Sequence, residues 1–576
     1  MTTDEALTTA GFLDVAAAAR GIVDDLVAWP GGRSSPSVYE TGRLVSLAPW
    51  LSGQPERLRY LVRAQRADGA WGLPHDGYAL VPTLSATEAL LGALDGPEDP
   101  AGPPRAELLK AADQGLRRLH GMLASGRVED VPDMPAIEHI TPYLIERINV
   151  RTAGGGAGTA AGLGAGSGPP AGLESWQDAG PLRAPEGMGG ELLHLVRELL
   201  AEGRSVPQKL LHALEIAGGT ARAAPSVRPE PSGTVGASPA ATAAWLGGPG
   251  TADGPARAAE RRSARAYLEA AVARYGGPVP VATPISEFER GWVLGWLARA
   301  GVPVPAPPGV LDRLLAELTA ALGESGTGGG AGLPPDADSS SGVLYALSLL
   351  GRPYPPDLLW KYETETHFCT WQGEDGISIT TNAHVLEAFG HYLESTGGGE
   401  RAVRYAATAA KVSSWLCDQQ DDDGAWRDRW HASPYYATAC AVPALDDFGT
   451  GPRAARAVDR ARRWVLETQR PDGSWGRWDG TAEETAYALQ TLLLPGRPPG
   501  EDVLEAARGA VARGAAYLRG AALQFSQTGH EPFNFMEVSE PTLWHDKDVY
   551  HPTTIVRTAI VAALHLAQTS RFVTLA

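Results

Sequence analysis

The chain has 576 residues, 43% of them hydrophobic, and carries a formal net charge of −18 at pH 7. That length exceeds what one ordinary core supports, so two domains are expected. The acidic balance argues against a nucleic-acid partner, because phosphate backbones call for a basic surface, and any anionic substrate must find a local basic pocket.

The chain opens Met1-Thr2-Thr3-Asp4-Glu5, with no basic region leading into an apolar run, so no secretory signal is read there. A first Gln-x-x-x-Gly-x-Trp pattern follows at Gln65, Gly69 and Trp71. Next comes an acidic turn, Glu129-Asp130-Val131-Pro132-Asp133, with Glu138 close behind. Residues 152–172 are nearly all Gly, Ala, Ser, Thr and Pro, and residues 217–240 are rich in Ala, Pro, Ser and Gly. Both are expected to be flexible loops, since such composition buries too little apolar surface to order itself. Between them, residues 191–201 place apolar side chains at helical spacing, as residues 401–416 do later. A third Gly-rich stretch, 323–335, leads through Pro334-Pro335 into Asp336-Ala337-Asp338-Ser339 and the apolar run 343–350. Residues 342–350 are far short of the roughly 20 residues that cross a bilayer, so a core helix is expected and no stable membrane insertion. The Gln-Gly-Trp pattern returns at Gln420-Gly424-Trp426 and Gln469-Gly473-Trp475, with 49 residues from one Gln to the next. That period fits a helix pair with its turns, and the pattern reads as a staple between successive pairs. Strand-like alternation is scarce, so the fold class is expected to be all-α. Cys369, Cys417 and Cys440 make no disulfide framework and point to a cytoplasmic location.

The three Gln-Gly-Trp segments resemble the QW motifs of the squalene-hopene cyclase and diterpene cyclase superfamily. The resemblance extends to Ser37-Val38-Tyr39-Glu40-Thr41, to Gly77-Tyr78 through Glu88, and to Ser238-Pro239-Ala240-Ala241-Thr242-Ala243. It continues through Thr381-Asn382-Ala383-His384-Val385-Leu386, Trp430-His431-Ala432-Ser433-Pro434-Tyr435-Tyr436 and Leu543-Trp544-His545-Asp546-Lys547-Asp548. Taken together these look like a bacterial class II diterpene cyclase. The resemblance implies two α/α-barrel domains, β and γ. Residues 1–40 would begin β, 41–285 would form an inserted γ, and 286–576 would complete β and carry the catalytic Asp motif. It also implies an enzyme that protonates a prenyl diphosphate, with geranylgeranyl diphosphate favoured, and closes it to a bicyclic labdane- or halimadane-type diphosphate such as copalyl diphosphate. Farnesyl diphosphate cyclised to drimenyl diphosphate is the alternative, and a non-enzymatic α/α-barrel binding scaffold is the third reading. A homodimer is left open.

On the residues alone, the Asp336 and Asp338 carboxylates lie at or near a helix N-terminus and fit helix capping. The resemblance adds that Asp338 stands where family members carry the proton donor of Asp-x-Asp-Asp. Protonating an alkene needs a neutral, strong carboxylic acid, and a second carboxylate close by resists double ionisation. Asp336 is therefore expected to keep Asp338 protonated. Ser339 stands where the family pattern has Asp; it can hydrogen-bond Asp338 but supplies no charge. Trp371, Trp430, Tyr435 and Tyr436 are candidates to stabilise carbocations through their ring faces. Asn382 and His384 are candidates for the terminating deprotonation. Arg429 and Lys547 are candidate diphosphate contacts. Glu129, Asp130 and Asp133, with Glu138 as rival, resemble the family's acidic Mg²⁺ element, and Mg²⁺ is the expected cofactor. A class I synthase would need Asp-Asp-x-x-Asp; Asp421-Asp422-Asp423 lacks the final Asp. The cysteines show no zinc-ligand spacing with His.

Overall fold

The computed structural model describes residues 14–153, 168–248, 255–304, 306–374, 376–494, 496, 501–527 and 540–570. Most of the expected loop at 152–172 lies outside them. The helices that build the core are α1 (Val15–Ala28), α2 (Val38–Leu47), α3 (Asp76–Leu94), α4 (Ile137–Thr152), α5 (Glu191–Ala201) and α6 (Pro239–Leu246) in the first half. In the second half they are α7 (Ser286–Arg299), α8 (Ala337–Leu349), α9 (Ile379–Thr396), α10 (Pro434–Phe448), α11 (Ala482–Leu493) and α12 (Thr553–Thr569). A two-residue hairpin, β1 (Trp544–His545) paired with β2 (Val549–Tyr550), precedes α12.

Helices α7, α8, α9, α10, α11 and α12 each pack on the next, and α12 returns to α7, closing an inner ring. These helices are buried around most of their circumference; α11 has every residue from Ala482 to Leu493 buried. The helices outside the ring are amphipathic instead. Ala402–Asp418 and Gly451–Glu467 bury one stripe and carry Arg, Lys and Asp on the other face. The result is an α/α barrel, as expected. A second, smaller ring in the first half runs α2, α3, α4, the 3₁₀ segment Leu214–Ala221 and α6, which returns to α2. Its inner helices are tied by one buried carboxylate: Glu88 on α3 lies 2.8 Å from Arg43 on α2, and 2.8 and 3.3 Å from Arg147 and Arg151 on α4. Burial alone would raise this carboxyl, but the three guanidinium groups hold it well below the usual range. Helix α1 precedes the small ring in sequence yet packs into the large one, sharing its core with residues 281–567 through Ala19, Ile22, Val23 and Leu26.

The three Gln-Gly-Trp turns share one construction. Gln65, Gln420 and Gln469 each donate the side-chain amide to the Gly carbonyl of their own turn and to a carbonyl inside the following outer helix, at Ala111, Ala457 or Ala510. The indole N–H of Trp71, Trp426 or Trp475 takes the carbonyl four residues before the Gln, in the last turn of the preceding helix. The orphan carbonyls of one helix end are thus satisfied by Trp, while Gln reaches the interior of the next helix. Gly is required at these turns: φ is +87°, +98° and +90° at Gly69, Gly424 and Gly473.

Residues 217–240 are not the loose loop their composition predicts. They pack as the end of the 3₁₀ segment, tight turns and the start of α6, with Ala217, Ala221, Ala224, Val227, Val235 and Ala237 buried. Small residues order here because they admit close backbone approach. A Cβ at Gly233 would lie 2.2 Å from the Ser263 carbonyl oxygen, and one at Gly236 would lie 2.4 Å from Leu211. The stretch 323–335 behaves the same way: a Cβ at Gly330 would come within 2.0 Å of the Pro284 carbonyl oxygen.

Candidate active site

A cavity of about 580 Å³ is lined by residues of both rings, a size ordinary for a small-molecule site. The first half contributes segment 133–139, the Leu192, Leu195, Val196 and Leu199 face of α5, and segment 207–213; the second half contributes Phe288, the start of α8, Trp371, Arg429–Trp430 and the hairpin.

The cap of α8 separates the two aspartates. Asp336 is the N-cap: Ser339 donates its backbone N–H to Asp336 Oδ1 (2.5 Å) and its hydroxyl to Oδ2 (2.9 Å). Asp338, already inside the first turn, faces the cavity with 17% of its side chain exposed, and its Oδ1 lies 2.9 Å from His384 Nδ1 on α9. Burial disfavours charge on His384, but Asp338 beside it outweighs that and lifts the imidazole well above its usual range. Burial, and then the neighbouring Asp338, push the Asp336 carboxyl up to about 8. Asp336 therefore spends both oxygens on the cap, while the side chain that meets Asp338 is His384. Ser339 bonds Asp336 rather than Asp338.

Asn382 does not reach the cavity. Its amide accepts from Phe368 N–H (2.9 Å) and donates to the carbonyls of Phe368 (2.9 Å) and Ser378 (2.8 Å), so it fastens the 368 loop to α9.

Trp371, Trp430 and Tyr436 line the cavity. Trp371 and Trp430 meet edge to face at 5.3 Å, and Trp292 donates its indole N–H to the Tyr436 hydroxyl at 3.0 Å. Tyr435 turns away and packs on Trp464 at 4.6 Å, because adjacent residues of a helix cannot share a face. Phe288, Trp544 and Tyr550 complete the aromatic wall. No motif marked Phe288 or Tyr550 in the sequence; they arrive through the packing of α7 and the hairpin.

Arg429 lies on the cavity wall, its Nε 3.1 Å from Asp133, its Nη1 3.4 Å from Glu374, and its guanidinium 5.2 Å from the Trp430 ring. The loop that carries it is anchored by Asp428, which accepts from Ser378 Oγ and from the Ile379 and Thr380 N–H groups at the N-terminus of α9. Glu374 was not singled out in the sequence; it accepts from the Thr370 and Trp371 N–H groups. Lys547 does not line the cavity. Its ammonium is wholly buried 3.0 Å from Glu40 and 3.1 Å from Glu215, and donates to the His212 carbonyl and Ser238 Oγ. It locks the hairpin to α2 and α6, which is why three separated sequence segments carry the matching residues. Lys209, exposed at the rim, is the further lysine on the cavity.

In the acidic segment, Asp133 and Glu138 line the cavity, whereas Glu129 and Asp130 are exposed and do not. Among the described residues no group of three or more His, Cys, Asp or Glu is arranged to hold a metal ion. His212 and Asp546, neither of them foreseen as site residues, face the cavity as a pair.

The chain is 41% identical over 560 residues to the ent-copalyl diphosphate synthase of Streptomyces sp. (strain KO-3988), covering 97% of each chain. It belongs to the class II diterpene cyclases. The labda-7,13-dienyl diphosphate synthase of Streptomyces clavuligerus is 38% identical to this cyclase over 541 residues, 93% of this chain and 90% of that one. The ent-copalyl diphosphate synthase structure from Streptomyces platensis superimposes on it with a TM-score of 0.81 at 42% identity, covering 96% and 100% of the two chains. The squalene-hopene cyclase C-terminal domain family matches residues 375–519, within the larger barrel. Among the described residues, no helix of the cyclase is long and apolar enough to cross a membrane.

Proposed function

We propose that the cyclase protonates geranylgeranyl diphosphate and closes it to a bicyclic labdane-type diphosphate with the diphosphate retained. The observation that carries this reading is Asp338, a cavity-facing carboxyl paired with His384 and set among Trp371, Trp430, Tyr436 and Trp544. The names of the relatives, copalyl and labda-7,13-dienyl diphosphate synthases, support a labdane skeleton and a product that keeps its diphosphate.

In this reading Asp338 delivers its proton to the terminal alkene. His384, hydrogen-bonded to Asp338 Oδ1, stabilises the carboxylate left behind. The ring faces stabilise the travelling cation, by about 2 kcal/mol or more where water is excluded. Arg429, with Lys209 at the rim, holds the diphosphate. Asp133 and Glu138 are the carboxylates that would hold Mg²⁺ together with the phosphates, which suits an ion commonly bound by one or two carboxylates and substrate oxygens; bound there, the ion neutralises diphosphate charge. Residues 1–40 and 286–576 form one domain in this reading, with 41–285 inserted, because α1 shares the large core.

The test is incubation of the purified protein with geranylgeranyl and farnesyl diphosphates in D₂O. The expected product retains both phosphorus atoms, gains one deuterium, and forms from the C20 substrate with kcat/KM at least about tenfold above the C15 one, or roughly 1.4 kcal/mol in transition-state binding. Stoichiometric release of inorganic pyrophosphate overturns the assignment.

A further inference from the structure

A cyclisation begun by one proton ends when the last cation loses another, and the residue that accepts it must present a free lone pair to the cavity. We infer that the Asp546 carboxylate is that acceptor, its Oδ2 facing the cavity from the wall formed by the hairpin loop while His212 holds Oδ1. This rests on the reading of the protein as a class II cyclase given above.

The geometry supports Asp546 by elimination among the cavity-lining groups. Asp546 Oδ1 is occupied: His212 Nε2 lies 2.8 Å away and the Lys547 N–H donates to it at 2.6 Å. Its side chain is 18% exposed, and among the described residues Oδ2 makes no hydrogen bond and is not buried without a partner, so it opens onto the cavity. His212 itself is a poor acceptor. Its Nδ1 lies 2.6 Å from the Gly236 carbonyl and its Nε2 faces a carboxylate, so both nitrogens donate and no lone pair is left. Burial disfavours its charge, but Asp546 outweighs this and raises the imidazole. Burial likewise raises Asp546, and the His212 and Lys547 charges overcome it and lower the carboxyl, which keeps it ionised.

The remaining acceptors are committed elsewhere. Glu374 holds two backbone N–H groups and Arg429; Asp336 gives both oxygens to the Ser339 cap. His545 has a free Nε2, but that atom is buried in the wall rather than open to the cavity. Asp133, Glu138 and His139, whose Nε2 lies 3.3 Å from Glu138, belong to the end that carries Arg429.

The cavity therefore carries two Asp–His pairs, one from each side. Asp338 with His384 belongs to the large barrel; Asp546 with His212 joins the hairpin to the small one. Tyr550 lines the cavity and lies within the electrostatic reach of both aspartates, Asp546 ahead of Asp338. The proton balance closes: Asp338 O–H is broken and a C–H bond formed at initiation. At termination a C–H bond is broken, its electron pair becomes the new alkene, and the proton passes to Asp546 Oδ2. Solvent exchange between turnovers returns Asp546 to carboxylate and Asp338 to acid.

The test is Asp546→Asn, which keeps an oxygen for His212 and the Lys547 N–H but places an amide where Oδ2 stood. The folded variant, checked by circular dichroism, is expected to consume geranylgeranyl diphosphate in D₂O with one deuterium still incorporated. The share of wild-type alkene product should fall at least about tenfold in favour of hydroxylated or rearranged diphosphates. An unchanged product distribution overturns the inference, and so does a folded variant that consumes no substrate, because Asp546 would then be needed before termination. If the amide variant does not fold, Asp546→Glu serves: the carboxylate moves by one methylene, and the ratio of alkene isomers should change, an unchanged ratio overturning the inference. Failure of the wild-type protein to form any cyclised diphosphate sinks the functional reading itself, a separate result.

Discussion

Asp336 and Asp338 lie two residues apart and make different contacts: Asp336 caps α8, while Asp338 faces the cavity beside His384. Asp338→Asn keeps the shape and removes the transferable proton, so turnover should fall by at least the roughly 10²–10⁴-fold typical of general acid catalysis, measured by product formation on protein of unchanged circular dichroism. Asp336 gives a different signature, in stability. Its folded carboxyl binds a proton up to about pH 8, against about 3.9 for an exposed one. Between those values the native chain holds the extra proton, so this group's contribution is complete below the lower value and is lost as pH rises through the upper one. The loss is at most about 1.4 kcal/mol per pH unit. Asp336→Asn lacks that slope, so its stability deficit against the wild-type protein should shrink as denaturant titrations move from pH 6 to pH 9. Other raised carboxyls, among them Glu289, Glu484 and Glu540, each pushed by burial to about 7, remain in both proteins and cancel in the difference. Lys547 belongs to the fold rather than to substrate binding. Lys547→Met leaves Glu40 and Glu215 buried without their cation, and should cost about 3–5 kcal/mol, seen as a lower Tm. A large rise in KM with no change in Tm would return Lys547 to the diphosphate site.

At the scale of the element, the Gln-Gly-Trp turn makes each helix pair depend on the next. Gly473 has φ +90°, and a Cβ there would sit 2.8 Å from the Arg513 carbonyl oxygen. Gly397, at φ +73°, has nothing within 4 Å of its would-be Cβ. Both substitutions to Ala strain the backbone, by about 1–2 kcal/mol, but only Gly473→Ala must also push two outer helices apart. Thermal unfolding should therefore place Gly473→Ala clearly below Gly397→Ala; equal Tm values would show that the contact is not needed. The spacing of Gln, Gly and Trp made these turns visible in the sequence, because their bonds are mostly local. The carbonyl inside the next helix was not visible, since spacing carries no information on which turn of a neighbour lies opposite.

For the whole molecule, the cavity exists only where the two rings face each other, and its polar rim draws on both. Glu138 on the smaller ring should raise KM for the prenyl diphosphate and weaken the Mg²⁺ dependence when changed to Ala. Glu129→Ala, on an exposed residue away from the cavity, should change neither; steady-state kinetics across a Mg²⁺ titration separates the two. The sequence by itself determined the all-α class, the helix starts signalled by caps such as Asp336, and the staple turns, and it marked Asp338 as the candidate acid, because hydrophobic period, capping and motif spacing act over a few residues. Tertiary structure decided the rest. It paired Asp338 with His384, 46 positions away, and brought Lys547 to Glu40 and Glu215 from far along the chain. It turned Tyr435 from the cavity, ordered the Gly- and Ala-rich segment 217–240, and set His212 beside Asp546. Each of these depends on which helix faces which across a closed ring, a relation that local sequence does not encode.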